Sequence, residues 1–91
     1  MSKTDQSDEN ILSELVAYID DLLRTCQKDI QEVNSIAIQL QEARLAGQIS
    51  GIHYTVDQER LQRILSKAKL LVMTLLKQRK RAINMIQELQ A

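Results

Sequence analysis

The side chains that could carry chemistry are few, and most of them lie in the stretch GQISGIHYTVDQ, residues 47–58. It contains the only histidine, His53, next to Tyr54. Acid–base catalysis needs a second positioned group, and a metal site needs three or four ligands. No second histidine, cysteine or paired carboxylate lies near His53 in the sequence. We therefore predict no catalytic, cofactor or metal site here, and no small-molecule ligand.

The only cysteine, Cys26, excludes an intramolecular disulfide and any metal site with several cysteines. Its neighbours at helical spacing are apolar, which favours a small buried side chain over a reactive thiol. A single cysteine and the lack of a signal-peptide pattern fit a reducing cytoplasm. We therefore predict a cytoplasmic protein that is not an enzyme.

A third candidate is the basic run KQRKR at residues 77–81, which has four positive charges. Such a run can bind nucleic acid or an anionic membrane surface. No aromatic residue is interleaved to stack on bases, and the net charge of the chain is zero. A solvated or salt-bridged helix face is the favoured interpretation, and nucleic-acid binding through Lys77–Arg81 is a lesser alternative.

Each half of the chain carries apolar residues at alternating spacings of four and three, which predicts a helix with an apolar seam. In the first half the seam is Leu12, Val16, Ile19, Leu23, Cys26, Ile30, Val33, Ala37 and Leu40. In the second half it is Leu61, Leu65, Ala68, Val72, Leu75, Ala82, Ile86 and Leu89, interrupted at Arg79. Flanking rows run beside the seam at Leu15, Leu22, Ile36 and Ala43, and at Ile64, Leu71, Leu76, Ile83 and Met85. Faces this wide predict a helical bundle.

Residues that start or end helices set the predicted helix boundaries. Residues 1–8 are polar and are predicted to be a disordered tail whose last residues, with Glu9, cap a first helix over 8–46. Gly47 suits a left-handed C-cap, and Thr55 with Gln58 has the spacing of a capping box. The prediction is therefore a turn over 47–55 and a second helix over 56–90, which together make residues 9–91 a helical hairpin.

The charges favour an antiparallel hairpin. Residues 1–46 carry nine acids and four bases, and residues 47–91 carry three acids and eight bases. Folding back at the turn is predicted to bring Asp20 level with Arg81, Asp21 with Lys80, and Glu32 with Lys69. The predicted fold is all-α, an antiparallel hairpin of two long helices completed to a four-helix bundle by self-association or by a partner. The longest apolar run, residues 70–76 with Thr74 inside it, is far short of the roughly 20 residues that span a bilayer.

Two resemblances bear on function. ILSELVAYIDD resembles the first helix of small all-helical chorismate mutases, but Val16 stands where that helix carries an arginine. From Leu40 to Leu76, a leucine-rich helix, Gly47, Tyr54, VDQE and a helix rich in Leu, Ala and Ile resemble the small hairpin co-chaperones of type III secretion needle subunits. This second resemblance implies a cytoplasmic hairpin that pairs with a larger helical-repeat chaperone to keep a secreted subunit soluble. The matching contact positions are Leu61, Ile64, Leu65, Ala68, Leu71 and Val72.

The segment from Leu61 to Leu76 has ten apolar residues of sixteen. Two of them, Leu70 and Met73, point away from the seam, and exposed apolar rows mark protein contacts. We predict a non-enzymatic interaction module, a secretion co-chaperone or adaptor, that binds a helical protein; the alternative is a structural protein that binds its own copies. The predicted partner-binding residues are Leu61, Ile64, Leu65, Ala68, Leu70, Leu71, Val72, Met73 and Leu76.

Overall fold

The computed structural model describes the backbone of residues 3–91 and the side chains of residues 7–91. It contains two α-helices, α1 (Lys3–Leu45) and α2 (Gly51–Gln90), of 43 and 40 residues. They pack as a hairpin, and no strand occurs in the described part of the chain. The all-α hairpin predicted from the apolar periodicity is therefore confirmed.

The first helix begins earlier than predicted. Residues 3–8 belong to α1, whereas the sequence predicted a disordered tail over residues 1–8; residues 1 and 2 lie outside the described residues. Ser7, Asp8 and Glu9 consequently lie within the helix and do not cap it. No proline or glycine precedes Gly47, so nothing in the sequence interrupts the helix on that side.

The end of α1 matches the predicted glycine cap. Gly47 has a φ of 72°, its N–H donates to the carbonyl of Arg44 at 3.1 Å, and the N–H of Gln48 donates to the carbonyl of Ala43 at 2.9 Å. These two bonds form a Schellman motif, which satisfies carbonyls that the helix end leaves without a partner. The left-handed conformation at Gly47 is thus confirmed.

The start of α2 differs from the prediction. The hydroxyl of Ser50 accepts a bond from the backbone N–H of His53 at 3.2 Å, so Ser50 is the N-cap and the helix begins at Gly51. Thr55 lies inside α2, where its hydroxyl donates to the carbonyl of Gly51 at 2.9 Å. The predicted turn over 47–55 and the Thr55–Gln58 capping box are wrong, because Ser50 satisfies the first turn five residues earlier.

Contacts divide the chain into two compact units. The terminal unit comprises α1 up to Thr25 and Val72–Ala91, and the turn unit comprises Cys26–Leu71. Within each unit a segment of α1 packs on a segment of α2 through the apolar seam. All seventeen apolar seam residues are buried or half-buried, and the most enclosed are Ile19, Cys26 and Ala82. The seam predicted from the sequence is confirmed at every position.

Candidate protein-interaction surface

The predicted partner-binding residues fall into two groups in the structure. Four of them belong to the seam and are half-buried against α1, so the hairpin itself already covers much of their surface: Leu61, Leu65, Ala68 and Val72. The other five are exposed: Ile64, Leu70, Leu71, Met73 and Leu76. A partner that docks on the intact hairpin therefore meets the second group first.

The exposed group does not lie on one side of α2. Ile64 and Leu71 are seven residues apart, two helical turns, and share the side next to the seam. Leu70 and Met73 lie on the outer side of the helix, with 63% and 55% of their surface exposed. The helix therefore offers an inner apolar row and an outer one to different neighbours.

The first helix contributes exposed apolar residues that the sequence analysis did not assign to binding. Ile11, Leu15 and Tyr18 follow one another at spacings of four and three, so they share one side of α1 within the terminal unit. They are 60%, 44% and 61% exposed. Leu15 was recognised as part of a flanking row, and extending that row by helical spacing would have found the other two.

Each unit has an apolar groove between its two helices. In the terminal unit the groove measures about 360 Å³ and is lined by Asp8, Ile11, Leu12, Met85, Glu88 and Leu89. In the turn unit it measures about 220 Å³ and is lined by Ile36, Leu40, Asp57, Arg60 and Leu61. Both grooves are lined by two seam leucines, one flanking-row residue and charged side chains. The grooves therefore extend the seam onto the surface.

The charged residues pair in a different register from the predicted one. The Nε of Arg79 donates to Oδ1 of Asp20 at 2.7 Å, and both side chains are more than a third exposed. Asp21 pairs with Arg24 on its own helix. The predicted pairs of Asp20 with Arg81 and of Asp21 with Lys80 are absent from residues 7–91. Arg79 lies on the seam side of α2, and Arg81, two residues further on, lies on a different side of the helix.

The basic run at residues 77–81 is partly committed to the hairpin. Arg79, which interrupts the apolar seam, is half-buried and bonded to Asp20. The side chains of Lys77, Lys80 and Arg81 are exposed, and within residues 7–91 no ion pair joins them to an acid. The predicted pair of Glu32 with Lys69 is also absent from that part of the chain.

Comparisons with protein-family models, curated proteins and solved structures give no match for this chain. The surface is therefore interpreted from its own residues.

The two side chains most capable of chemistry, His53 and Cys26, have structural positions in the hairpin. Nδ1 of His53 lies 2.9 Å from the Ser50 hydroxyl, so the histidine belongs to the cap of α2, and Tyr54 next to it is half-buried. Cys26 is a free, buried thiol, as the seam predicted. In the searched part of the chain, no group of three or more His, Cys, Asp or Glu residues is placed to hold a metal ion. The same residues include no helix of the length and hydropathy that a membrane span requires.

Proposed function

We propose that this protein is a non-enzymatic interaction module whose hairpin is completed to a four-helix bundle by another helical protein or by a second copy. One observation carries the proposal: in the described part of the chain fourteen large apolar side chains are exposed, whereas three apolar residues are buried, with exposures of 3% to 9%. Burying a leucine or isoleucine contributes about 1.5–3 kcal/mol, so association covers surface that two helices alone leave in water.

The total surface area supports the same proposal. The chain exposes 7120 Å² for a mass of 10.4 kDa. A compact monomer of that mass exposes roughly 5,400 Å². The excess is roughly 1,700 Å², and a standard protein interface takes roughly 800 Å² from each partner. The available surface therefore exceeds the requirement of one stable interface.

A co-chaperone or adaptor role in the cytoplasm is the more specific form of the proposal, and the turn unit is the part that supports it. Ile64 and Leu71, two of the positions that match the co-chaperone contact face, are exposed there. Arg60 and Lys67 lie three or four residues from them on the same side of α2. An amphipathic helix with acidic residues beside its apolar stripe would complement this face in both apolarity and charge.

Concentration-dependent unfolding of the full chain tests the proposed function. A module that needs a partner unfolds at a low temperature when dilute, and the midpoint rises with protein concentration or on adding a partner, because binding stabilises only the folded state. Circular dichroism over a hundredfold concentration range, with sedimentation velocity on the same samples, measures both effects. A monomer that unfolds at a high, concentration-independent temperature would contradict the proposal.

The outer row of α2 provides a further check on the proposal. Replacing Leu70 and Met73 by serine should leave the helix content and the mass of the isolated chain unchanged, because both side chains are exposed in the hairpin. Loss of helicity in this variant would show that the two residues belong to the folded core and not to a binding surface.

A further inference from the structure

We propose that a second copy of this chain docks on the terminal unit, with α1 of each copy lying antiparallel on α2 of the other. The docking face consists of Ile11, Leu15, Tyr18 and Met85. This inference rests on the proposed function and specifies its occupant, face and orientation.

The face is continuous within the terminal unit. Ile11 and Met85 line the same groove, which places them on the same side of the hairpin. Leu15 and Tyr18 continue the row from Ile11 along α1 at spacings of four and three. Seam residues Leu12 and Leu89 form the floor below them. The carboxylates Asp8 and Glu88 also line the groove, whereas Leu15 and Tyr18 continue the apolar row along α1 away from Asp8.

Charge determines the orientation. Beside the face on α1 lie Glu14, four residues before Tyr18, and Asp21, three residues after it, which also pairs with Arg24 on its own helix. Beside it on α2 lie Arg81, four residues before Met85, and Lys77, four residues before Arg81. Glu88, three residues after Met85, is an acid on the same edge of α2. The α1 edge of the face is therefore acidic, and the α2 edge carries two bases and one acid. A face with oppositely charged edges complements a second copy of itself.

Only one of the two symmetric arrangements uses that complementarity. A two-fold axis parallel to the helices places α1 on α2 of the partner, which sets the acidic edge against the basic edge. A two-fold axis perpendicular to the helices places α1 on α1 and brings acidic edges together. Among residues 7–91, Arg79 with Asp20 is the ion pair between the helices and Asp21 pairs with Arg24 on α1, whereas no ion pair joins Glu14, Lys77 or Arg81 to another side chain. The first arrangement is therefore favoured.

Sedimentation equilibrium of single variants tests the face. Met85→Gln and Tyr18→Gln should each raise the dissociation constant of the dimer at least tenfold. Ile38→Gln is the matched control, because Ile38 is as exposed, at 58%, but lies on α1 in the turn unit. It should leave the constant within twofold. Glutamine is a good helix former, so helix content should hold in all three variants.

Mixed disulfide formation tests the orientation. Two proteins, Leu15→Cys and Met85→Cys, are each made in a Cys26→Ala background, checked for helix content and mixed in equal amounts under mild oxidation. A disulfide between different single-cysteine chains can only be intermolecular. The expected main product joins Leu15→Cys to Met85→Cys, with less of either chain joined to itself.

The outcomes separate this inference from the proposed function. A dimer whose dissociation constant does not respond to Met85→Gln and Tyr18→Gln, or a main product that joins Leu15→Cys to itself, overturns the inference and leaves the function standing. A wild-type chain that is monomeric at every concentration and unfolds at low temperature overturns the second copy as occupant while preserving a different partner. A highly stable monomer contradicts both.

Discussion

The two units of the hairpin bring their helices together by different means. In the turn unit the chain itself connects them: the Schellman motif at Gly47 ends α1, and the Ser50 cap starts α2. In the terminal unit no loop joins the two helix segments, and side chains provide the contacts between them. Arg79 binds Asp20 there, and the amide of Gln90 donates to Glu9 at 2.9 Å.

Burial follows the same division. Ile19 and Ala82, the two most enclosed residues, both belong to the terminal unit, with exposures of 4% and 3%. Exposed apolar residues occur in both units. A short loop already reduces the entropy cost of pairing the helices in the turn unit. Helix pairing in the terminal unit therefore depends more on tight packing.

The largest effect is expected from truncating the seam in each unit. Ile19→Ala should lower the free energy of unfolding by about 2–5 kcal/mol, because it truncates a buried side chain that is 4% exposed. Ile30→Ala makes the same change at a half-buried position of the turn unit and should cost less, since solvent or neighbouring side chains fill part of the space. Urea unfolding followed by circular dichroism gives both values.

The control for this pair is Ile38→Ala, at an exposed position outside the seam, which should change stability by less than about 0.5 kcal/mol. Equal losses of stability for Ile19→Ala and Ile30→Ala would contradict the inference that the terminal unit is more tightly packed than the turn unit.

An intermediate loss of stability is expected from substitutions of Gly47 at the turn. Gly47→Ala should cost about 1–2 kcal/mol, because φ is positive there and an L residue is strained although nothing lies within 4 Å of an added Cβ. Gly47→Asn should cost less, since asparagine tolerates the left-handed region. Thermal unfolding measures the series.

Gly51→Ala is the matched control for the turn. Its φ is ordinary, and the nearest atom to an added Cβ is the guanidinium of the exposed Arg44 at 3.1 Å, which can move away. Alanine should therefore be neutral or stabilising by up to about 1 kcal/mol. A loss at Gly51 as large as that at Gly47 would contradict a cost that depends on the positive φ of Gly47.

The seam and the C-cap of α1 could be predicted from the sequence because each depends on local residue types. Apolar residues at spacings of three and four fix which side of a helix is buried, and a glycine after the last periodic residue fixes where α1 ends. Both predictions are confirmed, at Gly47 and along the seam.

The start of α2 could not be fixed in this way. Ser50 and Thr55 are both good N-cap residues, and the sequence contains no feature that shows which hydroxyl accepts the bond. The choice of Thr55 placed the start of α2 five residues too late. Arg79 was recognised as an interruption of the seam, but its pairing with Asp20 depends on a register that only the folded hairpin defines.

The smallest loss of stability is expected from removing the ion pair between Asp20 and Arg79. Its size decides which contact stabilises the terminal unit. Asp20 and Arg79 are more than a third exposed, so solvent screens their attraction and the coupling should be about 0.2–1 kcal/mol. A double-mutant cycle with Asp20→Asn and Arg79→Leu, by urea unfolding at low and high salt, isolates it. Arg79→Leu alone should cost little or stabilise, because leucine restores an apolar residue to the seam. A coupling above about 2 kcal/mol, insensitive to salt, would mean that the ion pair rather than the burial of Ile19 and Ala82 holds the terminal unit together.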